Sequence, residues 1–190
     1  MSQIKKWMIA SDLHGDADCV EQLLARYRQS GADKLILLGD LLYHGPRNDL
    51  PAGYAPKRVI ELLNGVGDEL LCVRGNCDTE VDQMVLTFPI LAEYALLVFD
   101  GVTVFATHGH NYNTGKLPPL KRGDILLHGH THVPAADPFG EDNLYLNPGS
   151  VSIPKEQSPK SYLLYEKGTF SFCRLEDGKV WRTVSVGGDQ

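Results

Sequence analysis

"KKWMIASDLHGDADCVEQLLARYRQSGADKLILLGD", residues 5–40, decides the fold. The run "WMIA" reads as a buried strand that ends abruptly in Ser11-Asp12-Leu13-His14. Val20, Leu23, Leu24 and Tyr27 then recur at i, i+3, i+4 and i+7, the spacing of one helix face, over Ala17 to Ser30. Asp16 can cap the start of that helix and Gly31 its end. "KLILL" follows as a second strand, continuous enough in apolar residues to be buried on both faces. Strand, helix and strand in this order imply two parallel strands joined by a right-handed crossover.

The same grammar repeats downstream. Pro56 opens a second helix, with Val59, Leu62, Leu63 and Val66 on one face, and "ELLCV" is a third strand. A short helix is expected over residues 80–86. The second half changes character. "YALLVF" and "VTVFA", separated by Asp100-Gly101, read as a hairpin, and "DILL" and "LYLN" as further strands. Turns at Lys167-Gly168 and Asp177-Gly178 divide the end of the chain into a three-strand meander. The expectation is one α/β domain over residues 1–190, with a mainly parallel first sheet, a largely antiparallel second sheet and helices on the outer faces. The closing residues "VGGDQ" are expected to fray.

Composition narrows the function classes. The chain has 190 residues, 43% of them hydrophobic, and a formal net charge of -6. That suits one well-packed core and disfavours extended binding to a nucleic acid backbone. No apolar run approaches the ~18 residues of a membrane span, and "WMIA" is too short for a signal-peptide core, so a cytoplasmic protein is expected. Cys19, Cys72, Cys77 and Cys173 form no CxxC pair and are expected to stay reduced.

The polar residues then fall into a pattern. Five apolar strands end in "SDLH", "GD", "RGN", "THGH" and "HGHTH". Each carries Asp, His or Asn beside a glycine or another metal-competent residue. Ligands of α/β sheets gather at the carboxyl ends of strands, so five such ends point to one convergent site. Carboxylate, imidazole and amide donors suit Mn, Fe or Zn and require no thiolate. Two divalent ions there would outweigh two ionised aspartates, bind phosphate and lower the pKa of a bridging water toward ~7.

These blocks resemble the calcineurin-like metallophosphoesterases, whose signature runs D-x-H, G-D, G-N-H-D/E, H and G-H-x-H. Here it becomes "SDLH", "LGDLL", "GNCD", "THGH" and "GHTH", in the same order. "GDLLYHGPRN", "RGNCDTEVDQM" and "NPGSVSIPK" are similar to the small bacterial phosphodiesterases of the YfcE type. The resemblance implies a four-layer α/β/β/α sandwich with two central mixed sheets. It implies a binuclear phosphodiesterase whose nucleophile is a metal-bridging hydroxide, with Mn²⁺ as the expected ion and Zn²⁺, Fe²⁺, Ni²⁺ or Co²⁺ as alternatives. One metal would be held by Asp12, His14, Asp40 and His132, the other by Asp40, Asn76, His108 and His130. Asp40, Asn76, Cys77 and His108 mark the catalytic positions, and His44, Arg47 and His110 are candidates for substrate. A small-molecule phosphodiester and self-association are the partners implied. His128, at the end of its strand, reads as a core histidine, and Ser150 and Ser152 have no evident base partner.

Cys77 departs from the pattern. The family's usual residue there is a histidine that protonates the leaving oxygen, oriented by the aspartate that is here Asp78. A thiol is a poorer acid near neutrality than an imidazolium. Good leaving groups should therefore be favoured, unless His44 or His110 supplies the proton. Two rival readings remain: a silent scaffold on the same fold, resembling a retromer subunit, and a thiol hydrolase built on Cys77. The scaffold relatives erode ligands that this chain keeps, and the thiol reading leaves the other polar strand ends unexplained.

Overall fold

A computed structural model describes residues 5–186. The expected fraying of "VGGDQ" falls mostly on residues 187–190, outside the described residues. The opening stretch folds as its spacing demands. β1 (Lys6–Ala10), α1 (Ala17–Ser30) and β2 (Lys34–Leu37) form a parallel crossover, with Ile9 opposite Ile36. Asp16 accepts the Cys19 N–H at the start of α1, and Gly31 closes it in the left-handed conformation at φ 66°. α2 (Pro56–Asn64) leads through a 3₁₀ turn into β3 (Leu70–Cys72), parallel to β2. Gly65 ends α2, so Val66 lies buried beyond it rather than on its last turn. The next helix, α3 (Glu80–Gln83), is one turn long and stops short of Leu86.

β4 (Tyr94–Phe99) and β5 (Val102–Thr107) form the expected hairpin, and β6 (Ile125–Leu127) lies parallel to β5. β7 (Ala135–Phe139), β8 (Asn143–Asn147), β9 (Ser161–Glu166), β10 (Thr169–Arg174) and β11 (Val180–Ser185) follow. β7 has no apolar signal in the sequence. It carries Asp137 and Pro138 and forms the rim of its sheet, where a strand can lack a donor.

The sheets have the orders β11-β10-β9-β1-β2-β3 and β4-β5-β6-β8-β7. Both are mixed. The expectation of a mainly parallel first sheet and a largely antiparallel second one is corrected by two pairings. The meander docks on β1 through antiparallel β9, placing Trp7 opposite Tyr165. In the second sheet, β6 lies parallel to both β5 and β8. Without β9, β1 would be an edge strand with a bare row of backbone donors and acceptors.

Alternation along β1 and β2 splits the core. Met8, Ala10, Leu35 and Leu37 face α1 and α2, whereas Ile9 and Ile36 meet Phe99, Val104, Phe170 and Phe172 between the sheets. On the far side Phe105, Leu126 and Tyr145 are covered by Tyr112 and Leu120. Among the described residues, that outer layer is loop rather than helix. The carboxyl ends of β1, β2, β3, β5 and β6 thereby open on one edge of the sandwich.

Candidate metal centre

The loops leaving these strands are stitched together before any ligand is considered. Backbone N–H groups of Leu13 and His14 donate to the Asp40 carbonyl at 3.0 and 2.9 Å, and Asp12 N–H donates to that of Gly39. The Asp78 carboxylate accepts the N–H groups of Asp40, Leu41 and Gly75 at 2.8, 2.9 and 2.8 Å. The loop after β3 is thus locked to the loop after β2. A side chain at Gly75 would collide with the Asp40 carboxylate, and one at Gly129 with Ser11 and Asp12, so both glycines are needed for the approach.

Five of the seven expected ligand residues hold the left-handed backbone conformation: Asp12 (φ 57°), His14 (47°), Asp40 (57°), His130 (67°) and His132 (62°). For non-glycine residues this costs on the order of 1–3 kcal/mol each. Tertiary contacts offset the cost. Ser150 and Ser152 both donate to the Asp12 carbonyl, at 2.8 and 2.9 Å. Their hydroxyls position a backbone, which fits the absence of a base partner.

Each aspartate has one oxygen tied down and one aimed inward. Asp12 Oδ2 accepts the His130 N–H at 3.0 Å, while Oδ1 has no hydrogen-bond donor. Asp40 Oδ1 accepts the Cys77 N–H at 2.8 Å, while Oδ2 lies 3.7 Å from His14 Nε2 and 3.5 Å from His108 Nε2.

The imidazole tautomers follow from their outer contacts. Nδ1 of His14, His108 and His132 lies 2.8, 2.7 and 2.7 Å from the carbonyls of Tyr43, Leu38 and Ile153. A carbonyl only accepts, so each Nδ1 carries its proton and the neutral ring presents a bare Nε2. His14 Nε2 and His132 Nε2 then stand 3.3 Å apart, with Asp12 Oδ1 3.2 Å from the latter. His108 Nε2 stands 3.0 Å from Asn76 Oδ1 and 3.2 Å from His130 Nδ1. These are two convergent groups of acceptors with Asp40 Oδ2 between them. Lone pairs facing one another this closely repel unless a cation or a proton lies among them. The donor set fits divalent ions.

Charge behaves accordingly in the metal-free chain. Burial opposes ionisation of Asp12, but His132 and His14 outweigh it and hold the carboxyl well below its usual range. Burial likewise opposes a charge on His108, yet Asp40 and Asp12 raise it to about 9. His130 is pushed down to about 4, by burial and then by His108.

The model of the calcineurin-like phosphoesterase superfamily domain matches residues 6–169. The chain belongs to that superfamily. Within it, the chain is 46% identical over 181 residues to Phosphodiesterase YfcE of Escherichia coli K12, covering 95% of this chain and 98% of the relative. The solved structure of the E. coli phosphoesterase YfcE superposes with a TM-score of 0.92 at 46% identity, over 96% of this chain and 100% of that one. Vps29 of Entamoeba histolytica, solved with zinc, shares the fold at a TM-score of 0.62 and 21% identity, over 95% and 98% of the two chains.

Around the acceptors lies a cavity of about 450 Å³ whose walls include Arg47, Asn48, Thr131 and Lys155. Arg47 was expected there. Thr131 and Lys155 were not, although Lys155 closes the "NPGSVSIPK" stretch and its N–H donates to the His132 carbonyl at 3.1 Å. His44 is not among these walls: its ring packs edge-on against Tyr43 and Tyr54, at 4.7 and 5.5 Å between centroids. His110 is not among these walls either; its ring centroid lies 5.5 Å from that of His108 and 6.3 Å from that of His130. His128 is a core histidine as expected, stacked on Tyr145 and lowered to about 4 by burial.

In the family pattern the aspartate orients a histidine at position 77, whereas here Asp78 serves the backbone. Its carboxylate is taken by three backbone N–H groups and acts on the Asp40 loop instead. The Cys77 thiol receives Asn76 Nδ2 at 3.3 Å. Burial, followed by Asp40, pushes it up to about 12, which leaves it neutral and unsuited to attack.

Proposed function

We propose that the chain is a binuclear metal-dependent phosphodiesterase that binds a small-molecule phosphodiester. The observation that carries this reading is the Asp40 Oδ2 atom, which faces acceptors of both groups. The E. coli relative named a phosphodiesterase supports it. Asp12, His14 and His132 would hold one ion, and Asn76, His108 and His130 the other, with Asp40 between them. Two divalent ions there, Mn²⁺ by family likeness, would supply a hydroxide nucleophile and spread the charge on the phosphoryl oxygens. Arg47 and Lys155 would draw in the anionic diester, and Arg47 can grip it bidentately. The neutral thiol of Cys77 gives the leaving oxygen little acid assistance, which selects for good leaving groups. Cys77→His should accordingly raise turnover of alkyl diesters relative to aryl ones; an unchanged ratio would remove that role from the position.

The decisive assay strips the protein with a chelator and follows bis(p-nitrophenyl) phosphate before and after adding Mn²⁺. Recovery of turnover is expected. Failure with every divalent ion would sink the reading, and metal uptake without turnover of any phosphoester would favour the scaffold. Among the described residues, no helix is long and apolar enough to cross a membrane. All four cysteines are free and buried, in keeping with a cytoplasmic protein. Exposed Leu96 and Val98 on the edge strand β4 support self-association, which sedimentation would reveal.

A further inference from the structure

A second cavity, of about 440 Å³, lies beside the candidate metal centre and has the opposite chemistry. Tyr43, Tyr54, Ile60, Val81 and Val85 line it, and Lys57, Thr79 and Asp82 are the polar members of its wall. Cys77 is shared by the two cavities among the described residues. Its Sγ lies within 4.8 Å of ligand atoms of His14 and Asp40 on one side. On the other side it looks into the apolar space. Tyr43 joins the two regions a second time, because its carbonyl fixes the His14 ring at 2.8 Å.

The contrast of walls is informative. The metal-side cavity offers Arg47, Asn48, Thr131 and Lys155, which suit the phosphate. A phosphodiester also has two organic arms, and none of these four residues suits an apolar one. The way out past Cys77 is lined by a compact neutral thiol and then mainly by apolar side chains, with Lys57, Thr79 and Asp82 among them. A volume of this size accommodates a ring-sized group. Val81 and Val85 are 70% and 46% exposed, a surface that an incoming apolar arm would cover.

We infer that the cavity bounded by Tyr43, Tyr54, Ile60, Val81 and Val85 is a specificity subsite that receives one apolar, ring-sized arm of the phosphodiester, with Cys77 as its threshold. The inference rests on the phosphodiesterase reading and deepens it by naming the substrate class: diesters carrying an aromatic or comparably apolar group, rather than two small polar ones.

The test uses the Mn²⁺-loaded full chain and the double variant Val81→Asn/Val85→Asn, whose sites are exposed and outside the candidate metal centre. Binding of phenyl phosphate, methyl phosphate and inorganic phosphate is measured directly by calorimetry. Phenyl phosphate should bind wild type about tenfold more tightly than methyl phosphate, and the variant should narrow that gap about fivefold while leaving inorganic phosphate unchanged. The KM for bis(p-nitrophenyl) phosphate should rise by a similar factor with kcat within about twofold. No preference for phenyl phosphate in wild type, or a preference untouched by the variant, overturns the subsite. A variant that changes only self-association in sedimentation identifies the patch as a subunit contact and also overturns it. Because binding is read without turnover, these outcomes are separable from a failure of wild type to hydrolyse any diester, which would sink the functional reading instead.

Discussion

The two acceptor groups on either side of Asp40 are built differently. On one side Asp12, His14 and His132 are all buried, and both imidazoles are fixed through Nδ1 to backbone carbonyls. On the other, His108 is equally buried and fixed, but Asn76 is exposed and His130 only half-buried, its Nδ1 turned toward His108 rather than to a backbone acceptor. The closed side is preorganised to hold a cation; the open side leaves room for something else to approach. Preorganisation lowers the cost of binding, so the closed side should hold its ion more tightly.

Asp40→Ala removes the atom common to both sides. It should lower kcat/KM for bis(p-nitrophenyl) phosphate by at least about a thousandfold and reduce bound Mn²⁺ well below two per chain, read by elemental analysis. A next cut separates the sides. His132→Ala should weaken the tighter of two Mn²⁺ binding steps about a hundredfold, whereas Asn76→Ala should leave that step intact and weaken the other about tenfold. Equal effects on both steps would erase the asymmetry.

Acidity sharpens the same contrast. In the metal-free chain His108 is raised to about 9, well above its ordinary 6.5. Its proton therefore stabilises the metal-free fold below 6.5, and that contribution is lost as pH rises through 9. Between those values an entering ion must displace the proton, so Mn²⁺ affinity on the open side should climb with pH up to about 9. Calorimetry in buffers of different ionisation enthalpy would count the proton released. The smallest effect concerns the support of the closed side. Ser150→Ala should cost about 1 kcal/mol in denaturant unfolding and lower activity modestly, since Ser152 still holds the Asp12 carbonyl. The double Ser150→Ala/Ser152→Ala variant should lose more than twice as much, because the carbonyl of the left-handed Asp12 then loses both of its hydroxyl donors.

Much of this centre was legible in the sequence because strand ends are. An apolar run that stops at Asp-x-His or Gly-Asp announces both the strand and its cargo, and the five runs converge as expected. The first helix was equally plain, with a capping aspartate, a 3.6-residue stripe and a terminal glycine all agreeing. What escaped was pairing at long range. Nothing local in "SYLLYE" says that it lies beside "KWMIA", more than 150 residues earlier, because either neighbour would satisfy its apolar faces. Asp78 escaped for a related reason. The resemblance casts this aspartate as the partner of a histidine, whereas its acceptor sites are filled by N–H groups from a loop 37 and 38 residues away. Lys155 closes a stretch that carries the family likeness, but nothing in that stretch marks it as a cavity wall, and only the fold brings it there.

The origin of the candidate ligands by sheet carries a mechanical consequence. Asp12, His14, Asp40 and Asn76 follow strands of the six-stranded sheet, and His108, His130 and His132 follow strands of the five-stranded one. Each acceptor group draws from both. An ion seated in either would therefore act as a rivet through the sandwich, tying the two sheets together. Free ion concentration would then set not only how fast the chain works but how long it lasts, and a chelator would loosen the whole body from its rim inward.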